Sequence, residues 1–192
     1  MLNFMFFLEN TLLGVGLAMD AFSVSLANGL NDKCMKKGKM FSIAGLFAFF
    51  QALMPMIGWI LVHTLLQYFT AFEKFIPWIA LALLLFIGIK MIVDTLKKDE
   101  DDCGQKVGFL ALLIQGLATS IDALSVGFTI AEYEFWMALI AVLIIGVITF
   151  GLCFAGVVIG KKFGTKLKNK AGLLGGIILI LIGIEIFLTG IL

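Results

Sequence analysis

The sequence predicts an all-α membrane protein whose six transmembrane helices form two inverted three-helix repeats. Three observations carry this: hydrophobicity arranged in blocks, lysines confined to alternate loops, and a repeat that sets two aspartates at matching mid-span positions. Of the 192 residues, 61% are hydrophobic and 14% charged, with a mean hydropathy of +1.11. Soluble domains carry about 25% charged residues. A helix needs about 20 apolar residues to cross the hydrocarbon core. Six stretches have that length: Glu9–Leu30, Phe41–Leu66, Phe75–Asp94, Val107–Ile130, Phe135–Ile159 and Gly172–Leu192. Little chain lies between them, so no soluble domain is expected. The first eight residues hold no Lys or Arg. The basic region of a signal peptide is therefore missing, and the first apolar stretch reads as the first span.

The loops divide by charge. Asn31–Lys39, Thr95–Lys106 and Gly160–Ala171 fall on one side of the membrane and carry twelve lysines, among them Lys33, Lys97 and Lys161. Gln67–Lys74 and Ala131–Glu134 fall on the other side and carry one, Lys74. Lysine marks the cytosolic face, so both termini are expected outside. The three cysteines, Cys34, Cys103 and Cys153, form no CxxC pair, and no disulfide is expected.

The repeat appears when the first span is laid over the fourth. Asp20-Ala21-Phe22-Ser23-Val24 then meets Asp122-Ala123-Leu124-Ser125-Val126, and Gly14 meets Gly116. Laying the third span over the sixth brings Phe86-Ile87-Gly88-Ile89-Lys90 onto Leu181-Ile182-Gly183-Ile184-Glu185. The second and fifth align less clearly, at Ile57-Gly58 and Ile159-Gly160. Residues 1–94 form the first repeat, 95–106 a charged cytosolic linker containing Asp99-Glu100-Asp101-Asp102, and 107–192 the second repeat. Three spans per repeat is an odd number, so the halves enter from opposite faces. That construction lets a transporter exchange inward-open and outward-open shapes around one central site.

Ionisable residues cost roughly 2.5–3.5 kcal/mol each at the centre of a membrane helix. Asp20 and Asp122 are the sharpest case, being central and equivalent. Ser23 and Asn28 follow Asp20 at helical spacing; Thr119 and Ser125 flank Asp122 at one turn each. Two such faces make a cage of oxygens suited to Mg²⁺, Ca²⁺ or Mn²⁺. Without the ion, two close carboxylates should not both stay ionised, which would couple metal release to proton uptake. The alternative role is hydrogen bonding between helices. Gln51 lies four residues before Pro55, which should kink the second span and free a backbone carbonyl near Gln51 as a further ligand, with packing alone as the alternative role. Met54 reads as core. Lys90 pairs either with Glu185 across the repeat, as a gate, or with Asp94 one turn away. His63 and Trp59, Trp78 and Trp136 read as interfacial. Gly156 and Gly160 form a GxxxG packing motif.

The motifs Met19-Asp20-Ala21-Phe22-Ser23-Val24-Ser25 and Ala118-Thr119-Ser120-Ile121-Asp122-Ala123-Leu124-Ser125-Val126-Gly127 closely resemble the paired signatures of the bacterial manganese efflux pump family, MntP. Met54-Pro55-Met56-Ile57-Gly58-Trp59 and Gly88-Ile89-Lys90-Met91-Ile92 are similar to it as well, so the resemblance covers essentially the whole chain. It implies Mn²⁺ export across the bacterial inner membrane, with Asp20 and Asp122 at the metal site. Two positions depart from the family pattern. Gln51 stands where the family often has Glu, and Glu185 where it often has Gln. The acid has moved from the second span to the sixth. Arg near Lys90 and Glu near Asp94 are the usual family residues, and both changes keep the charge.

The expected function is Mn²⁺ efflux coupled to the proton gradient or the membrane potential. No nucleotide-binding motif is present, so ATP is not the direct fuel. No enzyme activity and no cofactor are expected; Mn²⁺ is the cargo. The expected partners are that ion and the lipid bilayer, with no nucleic acid and with oligomeric state left open. The alternatives are export of another cation or a basic amino acid, and a non-transporting assembly protein of the same fold. An electron-carrying oxidoreductase of the wider group would need a cysteine in each repeat where this chain has aspartate.

Overall fold

The computed structural model describes residues 4–32, 34–65, 76–97, 107–167 and 171–191, with some side chains inside the helices excepted. Seven helices make up almost all of this: α1 (Phe4–Asn31), α2 (Lys37–Leu65), α3 (Ile76–Lys97), α4 (Phe109–Thr119), α5 (Ile121–Thr129), α6 (Phe135–Leu167) and α7 (Ala171–Ile191). Long runs of Leu, Ile, Phe and Ala favour this outcome. In hydrocarbon every backbone N–H and C=O must be bonded within its own segment.

By length and hydropathy, α1, α2 and α6 are each able to cross a membrane, and α4 with α5 form a fourth candidate bent by 41° at Ser120. The protein is a multi-pass, all-α membrane protein. The fourth stretch, expected as one helix, is thus two. The break has a local cause. Ser120 N–H bonds to Leu117 O at 3.2 Å, tightening the last turn of α4. The Ser120 hydroxyl donates to the same carbonyl at 3.1 Å, and the Thr119 hydroxyl donates to Gln115 O at 2.9 Å. Side-chain bonds of this kind compete with helix continuation. At Pro55 the opposite happens: α2 runs through the proline without interruption, although Pro55 has no N–H to offer the Gln51 carbonyl.

Helices pack mainly against partners from the other side of the 95–106 linker. The most extensive contact is α1 along α6; α3 lies on α7, and α2 on α5 and α6. Contact between α1 and α2, or between α6 and α7, is slight. Glycines make the close crossings possible. A Cβ on Gly156 would lie 2.8 Å from Phe22 O, and one on Gly164 would lie 2.7 Å from Leu30 O. Gly58 crosses Gly127 so closely that a Cβ on Gly58 would stand 3.0 Å from the Gly127 Cα.

The core between these helices is built from Val24, Ile43, Phe47, Leu84, Val157 and Leu179. Large apolar residues such as Phe86, Leu110, Trp136 and Val147 face outward, as a surface in contact with acyl chains requires. At the lysine-rich end the α1–α2 loop folds inward. Met35 is buried, Lys161 Nζ donates to Met35 O at 2.7 Å, and Asp32 pairs with Lys39 at 2.9 Å. Cys34 in this loop is disulfide-bonded, which corrects the expectation of three free thiols. Spacing along the chain is silent about which loops fold together in space. Cys153 is free and buried; Cys103 lies outside the described residues.

Candidate metal site

Asp20 stands on the unbroken helix α1, and Asp122 in the first turn of α5, two residues past the break. One oxygen of Asp122 accepts the Ala123 N–H at 2.8 Å, which fixes the carboxylate against the start of its helix. A helix start carries partial positive charge. Asp20 is half-buried and Asp122 is exposed. The charge on Asp122 feels that on Asp20, and Asp20 in turn feels Glu185 of α7. Three helices therefore bring three carboxylates into one electrostatic neighbourhood.

Gln51 joins them from α2. It is fully buried, and its Nε2 donates to Leu17 O at 2.8 Å, one turn before Asp20 on α1. Its Oε1 has no hydrogen-bond partner among the described residues. An orphaned carbonyl oxygen is suited to a hard cation. Ser23 is half-buried one turn beyond Asp20, and Ser125 is exposed one turn beyond Asp122. Thr119 is buried with its hydroxyl bonded to Gln115 O, so it caps the end of α4.

Asn28 is placed elsewhere. It lies eight residues beyond Asp20, about 12 Å along the helix. Its side chain is fully buried and bonded to Gln115 of α4. It does not share an ion with Asp20 in this arrangement. Gln115 was missed in the sequence, although a Gln in an apolar stretch seven residues before Asp122 was a visible signal. Lys90 is exposed on α3, and the side chain of Asp94 lies outside the described residues. His63 stacks on Trp59 at 4.1 Å between ring centroids, and its Nδ1 sits 2.8 Å from Trp59 O, as an interfacial residue would. Among the described residues, no three His, Cys, Asp or Glu side chains converge on one point. An arriving cation would have to draw the carboxylates and the Gln51 oxygen together.

A family model described as "Putative manganese efflux pump" matches residues 34–187. The chain is 42% identical over 182 residues to a protein of Gloeothece citriformis, with 94% of each chain covered. It is 44% identical over 189 residues to one of Clostridium botulinum, with 92% of each covered, and 41% identical over 209 residues to one of Clostridium perfringens, with 96% of each covered. All three relatives carry that same description under the name MntP. No solved structure matches.

Proposed function

Because the chain belongs to the manganese efflux pump family, a family of transporters and not of enzymes, we propose that it exports Mn²⁺ from the cytosol with Asp20 and Asp122 as the central ligands. The observation that carries this reading is that the charges of these two equivalent aspartates interact, as do those of Asp20 and Glu185, while Gln51, with its orphaned oxygen, is bonded to α1 one turn before Asp20. Oxygen donors of this type suit Mn²⁺. The Gln51 bond and the Glu185 charge both bear on the Asp20 region, which supports the view that the acid displaced from the second span is supplied by the sixth. Ser23, Ser125 and the Thr119 hydroxyl contribute neutral oxygens as the site closes around the ion. Lys90, with Asp94 or Glu185 as its partner, remains the candidate charge gate.

Once the ion leaves, clustered carboxylates repel and favour uptake of protons. This gives a route by which the proton gradient drives export; the membrane potential acts in addition on the ion's charge. The partner exchange between halves supports two inverted repeats divided by the 95–106 linker. Packing of α1 on α6 corresponds to packing of α5 on α2, and α3 on α7 lies at the shared axis. Six spans, termini outside and a place in the bacterial inner membrane complete the reading, with lysine-rich loops in the cytosol and no cofactor beyond the cargo ion.

The test is the metal content of a manganese-sensitive host expressing the wild type, Asp20→Asn or Asp122→Asn at matched membrane levels. The wild type should lower cell manganese and neither variant should. An unchanged manganese content with the wild type, or export by the variants equal to it, would overturn the proposal.

A further inference from the structure

We propose that Asn28 and Gln115 form the inner gate of this transporter, a buried amide clamp between the two aspartates and the lysine-rich end. The proposal rests on the export reading above. Asn28 Nδ2 donates to Gln115 Oε1 at 2.7 Å, and both side chains have no exposed surface. Asn28 lies between Asp20 and the lysine-rich end of α1. Gln115 lies seven residues before Asp122, about 10 Å along the chain axis, between that carboxylate and the lysine-rich start of α4. The bond therefore joins the two aspartate-bearing spans on the side from which the cargo would come. Elsewhere α1 and α4 barely touch, so a single polar contact accounts for much of what holds them together there.

The unused atoms of the pair argue against a purely structural role. Asn28 Oδ1 and Gln115 Nε2 are buried with no hydrogen-bond partner among the described residues. A buried polar atom left unsatisfied costs about 1–3 kcal/mol. A static clamp would have partners for these atoms. When the pair parts, water reaches all four polar atoms of the two amides, so the lost hydrogen bond is offset by the two orphans it relieves. Closed and open states are thereby brought close in free energy, which an alternating cycle needs. The parted amides also turn two neutral oxygens toward the path of a cation, enough to replace some of its hydration without trapping it.

The test joins the pair reversibly. In a chain with Cys34, Cys103 and Cys153 replaced by serine, Asn28→Cys and Gln115→Cys are bridged with a short bis-methanethiosulfonate linker, and Mn²⁺ flux is followed in inside-out vesicles. Bridging should reduce flux to background, and a thiol reductant should restore it. Undiminished flux through the bridged protein would overturn the gate. If the unbridged double variant carries no flux while its cysteine-free parent does, labelling decides. A Ser125→Cys thiol should react several-fold faster with an impermeant reagent applied from the lysine-rich side once Gln115→Met is added, and an unchanged rate overturns the gate. If the parent itself carries no Mn²⁺, the export reading fails, and the same labelling comparison still decides the gate.

Discussion

The helix α1 and the pair α4–α5 carry the same five-residue pattern, Asp-Ala-x-Ser-Val, and they differ in the three residues before it. In α1 these are Leu17, Ala18 and Met19; in the other span they are Thr119, Ser120 and Ile121. Leu, Ala and Met are strong helix formers, whereas Thr, Ser and Ile are weaker, and hydroxyls near the backbone compete for its carbonyls. The first span runs straight through Asp20, while the second ends at Thr119 and restarts at Ile121. The repeat thus places two like carboxylates in unlike settings. Asp122 faces the start of a helix and holds the Ala123 N–H. Asp20 sits inside an unbroken helix, one turn beyond the Leu17 carbonyl that Gln51 holds, and its charge interacts with that of Glu185. A broken span also leaves backbone groups and a hinge beside Asp122, a device known from transporters with discontinuous helices.

The largest effect is expected from erasing this difference. Transplanting the α1 residues, as Thr119→Leu, Ser120→Ala and Ile121→Met together, should straighten the fourth span and move Asp122 relative to Asp20. Manganese efflux should fall by at least ~10-fold, about 1.4 kcal/mol in the barrier, with protein still present in the membrane. Efflux at the wild-type rate would mean the break is incidental.

A smaller effect should follow from the acidic neighbour of Asp20. Glu185→Gln is expected to lower efflux several-fold, and adding Gln51→Glu should recover most of it if, as proposed, the two positions supply one acid to the Asp20 site. Failure of the second substitution to rescue the first, read in the same flux assay, would separate the two positions.

A milder change works in the reverse direction. Ala18→Ser gives α1 one residue of the broken span at a cost of about 0.5 kcal/mol in helix propensity. Thermal unfolding in detergent should shift slightly and flux should hardly change. The smallest effect belongs to Gly16, where an added Cβ meets nothing within 4 Å. Gly16→Ala should be neutral or stabilising by up to about 1 kcal/mol. Gly127→Val, by contrast, drives a side chain into the Gly58 backbone and should sharply reduce the folded protein.

Much of this organisation was legible in the chain. Hydropathy located the helices, and the duplicated Asp-Ala-x-Ser-Val motif located the carboxylates. The break at Ser120 was not foreseen, because neither Gly nor Pro stands there. Yet Thr119-Ser120-Ile121-Asp122 does contain residues that commonly start helices. Asn28 was assigned to the Asp20 face by spacing alone, and spacing does not reveal which neighbouring helix a side chain will meet. Gln115 went unnoticed for the same reason: its role exists only in the bond to Asn28. The disulfide at Cys34 likewise depends on how loops fold together, which periodicity does not encode. Gln51 and Glu185 could be compared with the family pattern in sequence, but the bond of Gln51 to Leu17 O, one turn before Asp20, is visible only in three dimensions.

The most direct measurement is equilibrium binding of Mn²⁺ to the purified protein in detergent, with the wild type compared with Asp20→Asn, Asp122→Asn and the double variant. Saturable binding by the wild type that is lost in each single variant is the expected result if, as proposed, both carboxylates hold one ion. Undiminished binding in either single variant would contradict a shared site.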